Sequence, residues 1–122
     1  MPKIEILIFA ESDGSSPFLK WLDDQNQKVQ NKCIVFIERL EEHGHELRRP
    51  QADYLRDGIY ELRIKRQKIN YRVLYFFHGK RAVISHGIMK QKDKVPENEI
   101  EIAIKNKKNF MANPKIHTYK QE

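Results

Sequence analysis

Hydrophobic and polar residues alternate along several stretches of the chain, and this period of two predicts β-strands. In KIEILIFAE near the N-terminus, three isoleucines face one side, while Leu7 and Phe9 face the other. A strand that is apolar on both sides is typical of one that is covered on both sides. Three further strands, separated by the turn signals RQK and HGK, predict a meander at 59–66, 69–77 and 81–88.

A period close to four residues predicts three helices. A short helix is expected from Pro17, which follows a serine that can cap it. A second helix is expected from Asp24 to about His43, with Gly44 placed to end it. The third begins at Pro96, in PENEIEIAIKNKKNF.

The order strand, two helices, three-stranded meander and helix predicts an α+β fold. We expect a small antiparallel or mixed sheet with an N-terminal helical hairpin and a C-terminal helix. The segment HELRRPQADYLRDG, with Pro50 and Gly58 as breakers, is interpreted as a polar connection. Residues 1–122 are expected to form one domain, with 111–122 a loose C-terminal tail.

Composition narrows the class of protein. Of 122 residues, 39% are hydrophobic and 33% charged, which is typical of a globular protein and excludes a disordered one. No apolar run approaches a membrane span and no leader pattern opens the chain, so we expect a cytoplasmic protein. Cys33 has no internal disulfide partner and lies on an apolar helical stripe, which predicts a buried thiol. The net charge of +6 fits a polyanion-binding protein, but also many inert basic ones.

The hairpin predicted at 59–77 sets two arginines opposite each other. If the chain turns at Gln67 and Lys68, Arg63 becomes the cross-strand partner of Arg72. Like charges at directly opposed positions of an antiparallel pair lower the stability of the sheet. That cost is tolerated when the charges have a third group to bind.

Further cations are expected on the same face. Lys65 shares the face of the two arginines, and Lys90, Lys92 and Lys94 follow the last strand at the end of the sheet nearest to them. Arginine forks bind phosphate oxygens bidentately and lysines add point charge, so the pattern is typical of a phosphate-backbone site. An ordinary solvated basic face, with the first arginine tied to Glu61 or to a helix carboxylate, accounts for the same residues equally well.

His86 stands beside Ser85 and Gly87, a setting that suggests a general base. Extending the period of two through the HGK turn puts Ser85 on the arginine face and His86 on the core side, which favours a buried, hydrogen-bonded histidine instead. No metal spacing such as HExxH or CxxC occurs, nor a glycine loop that would cradle a phosphate. We therefore expect neither a metal nor a cofactor.

Two long motifs carry a family resemblance. LRDGIYELRI, and then INYRVLYFFHGKRAVISHGIMKQKDKVPENEIEIA, are similar to the signature of the HigB-like toxins, the phage-derived branch of the RelE/ParE toxin superfamily. The close match covers about half of the chain, and the order of elements agrees over nearly all of it. The resemblance implies a RelE-like fold.

The resemblance also implies a function: the toxin of a type II toxin-antitoxin system, which binds translating ribosomes and cuts mRNA in the A site. The reaction would be attack of a ribose 2′-hydroxyl on the adjacent phosphate. Carried over to this chain, the catalytic positions are Arg63 of YELR, Arg72 of YRV and Lys90 of GIMKQK. Three lysines are expected to bind RNA phosphates beside them: Lys65, Lys92 and Lys94.

The chain departs from RelE at the general base. RelE has a tyrosine after the last strand, whereas this chain has KVPEN with Pro96, and His117 and Tyr119 lie in the tail. The base is therefore unassigned. The implied partners are a cognate helix-turn-helix antitoxin, the ribosome and mRNA, with a toxin-antitoxin hetero-oligomer and no membrane.

Two other functions fit the same elements. A ParE-like toxin would inhibit DNA gyrase by binding, without nuclease activity; such relatives generally lack the basic set retained here. A nucleic-acid-binding module without toxicity would be left by decay of such a system.

Overall fold

The computed structural model describes residues 3–90 and 94–121. It has the predicted α+β fold. The elements are β1 (Glu5–Ile8), α1 (Pro17–Asp23), α2 (Gln27–His43), β2 (Ala52–Arg56), β3 (Ile59–Arg66), β4 (Ile69–His78), β5 (Arg81–Lys90) and α3 (Glu97–Ala112). The five strands form one sheet in the order β1-β5-β4-β3-β2, in which β1 runs parallel to β5 and the other pairs are antiparallel. None of the helices in the described residues has the length and apolar character to cross a membrane.

The helices begin and end where their capping residues stand. The side chain of Ser16 accepts a hydrogen bond from the Leu19 amide at 3.0 Å, which caps α1. Asn26 caps α2 in the same way through the amide of Val29. Gly44 ends α2 with a φ of +56°, a conformation that glycine adopts without steric cost.

Strand β2 corrects the prediction of a polar connection before the meander. It pairs with β3 from Ala52 opposite Leu62 to Arg56 opposite Ile59, with an irregularity after Tyr54. ADYLR has no alternating apolar pattern, so its strand conformation comes from pairing with β3 rather than from its own sequence. The sheet therefore has one more strand than predicted, at its edge.

The sheet separates two apolar cores. The face toward α1 and α2 carries the first core, which includes Cys33 and the three N-terminal isoleucines. The face toward α3 carries the second, which includes Leu7, Phe9 and Phe76. The prediction that the first strand is covered on both sides is thus confirmed, and Cys33 is buried as predicted.

In the described part of the C-terminal segment, residues 111–121, the chain is not the loose tail predicted for 111–122. Helix α3 continues to Ala112, and Thr118 then forms a bridge with Phe9 beside β1. The imidazole of His117 stacks on the Phe9 ring at a centroid distance of 5.3 Å, and the Tyr119 amide donates to the Ile8 carbonyl at 2.7 Å. These contacts cover an apolar ring at the edge of the sheet.

A register shift in β5 reverses the predicted orientation of His86. Tyr75 pairs with Ile84 but Leu74 pairs with His86, so Ser85 is an additional residue in the ladder. Beyond this bulge His86 faces α3, where its ring contacts Glu99, instead of facing α1 and α2. Simple alternation placed it on the wrong face because it counts no bulge.

Candidate functional site

Arg63 and Arg72 are direct cross-strand partners, as the hairpin pattern predicted. The turn between β3 and β4 has Gln67 at a φ of +56°. This turn fixes the register, and the register brings the two guanidinium groups to the same face of the sheet.

A buried carboxylate lies between the two arginines. Glu61 contacts Arg63 at 2.6 Å, from Oε2 to Nη1, and Arg72 at 3.1 Å, from Oε1 to Nε. The side chains of Glu61 and Arg72 are 4% and 5% exposed, whereas that of Arg63 is 24% exposed. We call these three residues the Glu61 triad. Glu61 offsets the repulsion between the arginines, as the simpler interpretation of the basic face anticipated.

The contact between Glu61 and Arg72 is an ion pair without hydrogen-bond geometry. Its distance is short, but within residues 3–90 and 94–121 neither Arg72 Nε nor Glu61 Oε1 has a hydrogen-bond partner. Burial lowers the pKa of Arg72, and the charge of Arg63 lowers it further, while Glu61 opposes both effects. Arg72 also donates through Nη1 to the Tyr71 carbonyl at 3.0 Å. The guanidinium is therefore fixed in a buried position where Glu61 is its counter-charge.

An open cleft of about 510 Å³ adjoins the triad. Its lining, which we call the basic cleft, consists of Lys32, Phe36, Arg39, Arg49, Pro50, Gln51, Arg63, Lys65, Asn70 and Arg72. Six of these described lining residues are cations and none is acidic. Because like charges in a concave surface reinforce one another, this cleft favours an anion with several charges.

Helix α2 supplies cations that the sequence analysis did not single out. Lys32 donates from Nζ to the Lys65 carbonyl at 2.6 Å, which ties the helix to the end of β3. The guanidinium of Arg39 lies 5.0 Å from the centre of the Phe36 ring, a cation–π contact. Lys32 and Arg39 are seven residues apart on a helix, so they share a face. That spacing was the available signal, but only the packing of α2 shows which surface they join.

The predicted lysines divide between this cleft and its surroundings. Lys65 is exposed and lines the basic cleft. Lys90 is the register partner of Asn70 and is buried, at 6% exposed, on the face that carries Arg72. Lys94 is exposed and lines a smaller groove of about 220 Å³, which Glu61 and Arg63 also line. Lys92 lies outside the described residues.

His86 belongs to a closed polar network between β5 and α3. Its Nδ1 lies 2.8 Å from Ser85 Oγ, its Nε2 lies 3.0 Å from Glu99 Oε1, and Asn106 donates to Ser85 Oγ at 3.0 Å. All three groups can be satisfied if Ser85 Oγ–H donates to His86 Nδ1 and His86 Nε2–H donates to Glu99. In that arrangement the His86 imidazole is neutral. Burial lowers the pKa of His86, and Glu99 opposes the shift in part. The prediction of a buried, hydrogen-bonded histidine is confirmed.

The two tail residues considered as bases lie at the far edge of the sheet. Tyr119 contacts the end of β1, and His117 contacts Phe9 and Ala10 directly after it. Strand β1 is separated from β4 by β5 and from β3 by one strand more. Adjacent strands are about 4.8 Å apart, so β1 and β3 are roughly 14 Å apart. Neither residue is placed to act on a group held between Arg63 and Arg72.

Comparison with known proteins identifies one family whose match covers all residues of the Glu61 triad and the basic cleft. The family described as Phage derived protein Gp49-like (DUF891) matches residues 20–108, from within α1 to within α3, and so includes the Glu61 triad. A search of curated protein sequences gave no match. The match spans well over half of the 122 residues. The chain therefore belongs to the Gp49-like phage-derived family, a toxin-like family of the RelE/ParE type.

Proposed function

We propose that this protein is the toxin of a type II toxin-antitoxin system and that it is a ribosome-dependent mRNA endonuclease of the HigB kind. The observation that carries the proposal is the basic cleft, with six cations and no acid among its described lining residues. A strand of RNA presents one phosphate per nucleotide, and clustered cations bind such a chain by displacing its counterions. Family membership supports the toxin, and the cleft supports RNA as its target.

The proposed reaction is attack of a ribose 2′-oxygen on the adjacent phosphorus. The bond from the 2′-oxygen to phosphorus forms, the bond from phosphorus to the 5′-oxygen breaks, and the products are a 2′,3′-cyclic phosphate and a 5′-hydroxyl. The 2′-hydroxyl loses one proton and the leaving oxygen gains one. Arg63 is the more exposed arginine and would contact the phosphate, while Arg72 adds positive charge from behind. The polar side chains of the basic cleft are cations and amides, so their contribution is orientation and stabilisation of developing negative charge.

The proposed partners follow from the same surface. The ribosome would deliver a single mRNA strand to the basic cleft. A cognate antitoxin with a helix-turn-helix domain would neutralise the toxin by laying an acidic or apolar segment on it. A segment that competes for the basic cleft should be acidic, because complementary charge favours association.

Inducible expression in bacteria tests the proposal against its alternative. We expect growth arrest, with mRNA ends mapped by primer extension to positions within codons. In a purified reaction the cuts should require translating ribosomes. Growth arrest with intact mRNA and a DNA-damage response would instead indicate ParE-like inhibition of DNA gyrase and would refute the nuclease.

Variants connect that result to the cleft. Arg63→Ala should abolish cutting, because it removes the accessible guanidinium while Glu61 keeps Arg72 as counter-charge. Arg81→Ala is the matched control, because Arg81 is an exposed sheet arginine that also pairs with a glutamate, Glu5, at 2.9 Å. If Arg63→Ala cuts mRNA as well as Arg81→Ala does, the basic cleft is not the site of cleavage.

A further inference from the structure

A second recess, of about 470 Å³, lies beside the edge strand β2. It is lined by His45, Leu47, Arg48, Asp53, Tyr54 and Tyr60, and we call it the tyrosine recess. We propose that the tyrosine recess binds a nucleobase of the RNA strand whose phosphates lie in the basic cleft. This inference rests on the proposed function and adds a base-binding site to it.

Tyr54 presents an exposed aromatic ring that is held in place. The residue is 53% exposed, although it is a large apolar side chain on a strand. Its hydroxyl accepts a hydrogen bond from the Gly58 amide at 3.1 Å, and its ring meets that of Tyr60 edge-on at 5.0 Å. A ring fixed at both its hydroxyl end and its edge loses little conformational freedom when a base stacks on it.

More aromatic rings support Tyr54 from behind. Tyr60 stacks on Tyr75 at 5.5 Å and meets Phe77 at 5.1 Å, and His45 stacks on Phe77 at 3.6 Å. Tyr75 is 1% exposed, so this cluster is anchored in the core. Aromatic side chains of this kind are the surfaces on which single-stranded RNA stacks its bases.

Among the described residues, the charges lining the tyrosine recess are of mixed sign, whereas those lining the basic cleft are all positive. Asp53 contributes a carboxylate to the wall. Burial acts to raise the pKa of Asp53, but the hydrogen bonds from Arg49 and the Tyr54 amide, together with the charges of Arg49 and Arg63, lower it below its usual value. An ionised carboxylate repels phosphate but accepts hydrogen bonds from the amino groups of bases. Arg48 provides a planar guanidinium in the same recess.

The two sites are joined by one ion pair. Arg49 lines the basic cleft, Asp53 lines the tyrosine recess, and their side chains meet at 2.9 Å. Tyr54 is opposite Tyr60, three residues from Arg63 on the next strand. This odd spacing turns the side chains of Tyr54 and Arg63 to opposite faces of the sheet. The RNA would therefore pass around the β2 edge, where Arg49 and Asp53 pair. With a rise of about 3.3 Å per residue and a strand spacing of about 4.8 Å, the Cα atoms of Tyr54 and Arg63 are roughly 11 Å apart. A few nucleotides of single-stranded RNA span that distance.

The test compares two probes of equal length and charge: a single-stranded oligoribonucleotide and the same backbone with abasic residues. Wild-type protein should bind the RNA more tightly. Tyr54→Ala should weaken RNA binding roughly tenfold, in the range measured for loss of one stacked base, and leave abasic binding and its salt dependence unchanged. Tyr54→Phe should stay within about twofold of wild type, because stacking needs the ring.

Controls keep the result specific. Ile102→Ala removes another exposed apolar side chain, 43% exposed and on α3 away from both sites, and should change neither affinity. Thermal unfolding checks that each variant is folded. In Tyr54→Trp, the fluorescence added to that of Trp21, with the wild-type protein as the reference, should be quenched by RNA and unaffected by the abasic probe.

The outcomes separate this inference from the proposed function, because binding needs neither ribosomes nor cleavage. Equal affinity of the wild type for both probes, or equal weakening of both by Tyr54→Ala, would overturn the tyrosine recess even if the protein cuts mRNA. A base-dependent loss in Tyr54→Ala would support the tyrosine recess even if no cutting is found. If the fluorescence that Tyr54→Trp adds to that of Trp21 is not quenched at saturating RNA, the tyrosine recess is also overturned.

Discussion

Glu61→Gln should destabilise the protein strongly, although it only replaces one carboxylate oxygen by an NH₂ group. The carboxylate is 4% exposed and contacts both arginines of the triad. Glutamine has nearly the same shape but no charge, so the variant leaves Arg72 buried without its counter-ion. Arg63 is 24% exposed and can still be hydrated, so most of the loss should come from Arg72.

The expected magnitude follows from burial. Removing one partner of a buried ion pair costs about 3–5 kcal/mol, and partial access of water to Arg63 places this case near the lower end. In a chain of this size about 3 kcal/mol corresponds to a fall in Tm of roughly 10 °C. The matched control is Glu5→Gln, which breaks an exposed pair with Arg81 whose side chains are 60% and 52% exposed. Such pairs contribute about 0–1 kcal/mol.

Urea unfolding of the two variants, monitored by circular dichroism, measures both values. A third variant, Glu61→Gln with Arg72→Met, removes the unpaired charge and should recover part of the lost stability. If Glu61→Gln costs no more than Glu5→Gln, the Glu61 triad is not the electrostatic unit described above. The same conclusion would follow if adding Arg72→Met to Glu61→Gln lowered the free energy of unfolding by as much again as Glu61→Gln does alone.

Three further predictions concern buried residues outside the basic cleft. Gly87→Ala should lower the free energy of unfolding by about 1–3 kcal/mol, because its Cβ would overlap the indole of Trp21; a urea midpoint equal to that of wild type would contradict this. The pKa of His86 is lowered in the folded protein, so below its ordinary pKa of 6.5 the unfolded chain binds more protons than the folded one. The free energy of unfolding should therefore be at its full value above that pH and fall as the pH drops toward the folded pKa. Urea unfolding between about pH 5 and pH 8 measures how the free energy of unfolding changes with pH. His86→Asn should reduce that change, and Glu99→Gln should enlarge it, because Glu99 raises the pKa of His86. Burial raises the pKa of Cys33 to about 11, so a thiol reagent should modify it slowly in the folded protein and rapidly in urea; equal rates would show that it is accessible.

The arginine pair could be predicted because short-range rules determine it. The turn between β3 and β4 and the period of two set Arg63 against Arg72 without knowledge of the rest of the fold. The apolar stripes of the helices and the double-sided first strand were predictable for the same reason. In each case neighbours in sequence decide which side a residue faces.

Two features depended on partners distant in sequence. Strand β2 has a weak pattern of its own and forms because β3 offers an edge to pair with. His86 was assigned to the wrong face because one additional residue at the bulge in β5 reverses the alternation beyond it. Neither a pairing partner nor a bulge is visible in local periodicity.

The candidate site was predicted only in part. Arg63, Arg72 and Lys65 were expected together and lie together, whereas Lys32 and Arg39 join them from α2. Their position depends on how α2 packs across the sheet, which charge patterning alone does not determine. The role of Lys90 as a third catalytic residue stays a prediction.

The most direct test of the central claim is the mapping of mRNA ends in a purified translation reaction with wild-type protein, Arg63→Ala and Arg81→Ala. We expect cuts within codons for wild type and for Arg81→Ala, only when ribosomes translate, and none for Arg63→Ala. Uncut mRNA with wild-type protein, or cuts that persist in folded Arg63→Ala, would contradict the assignment of the basic cleft as the site of mRNA cleavage.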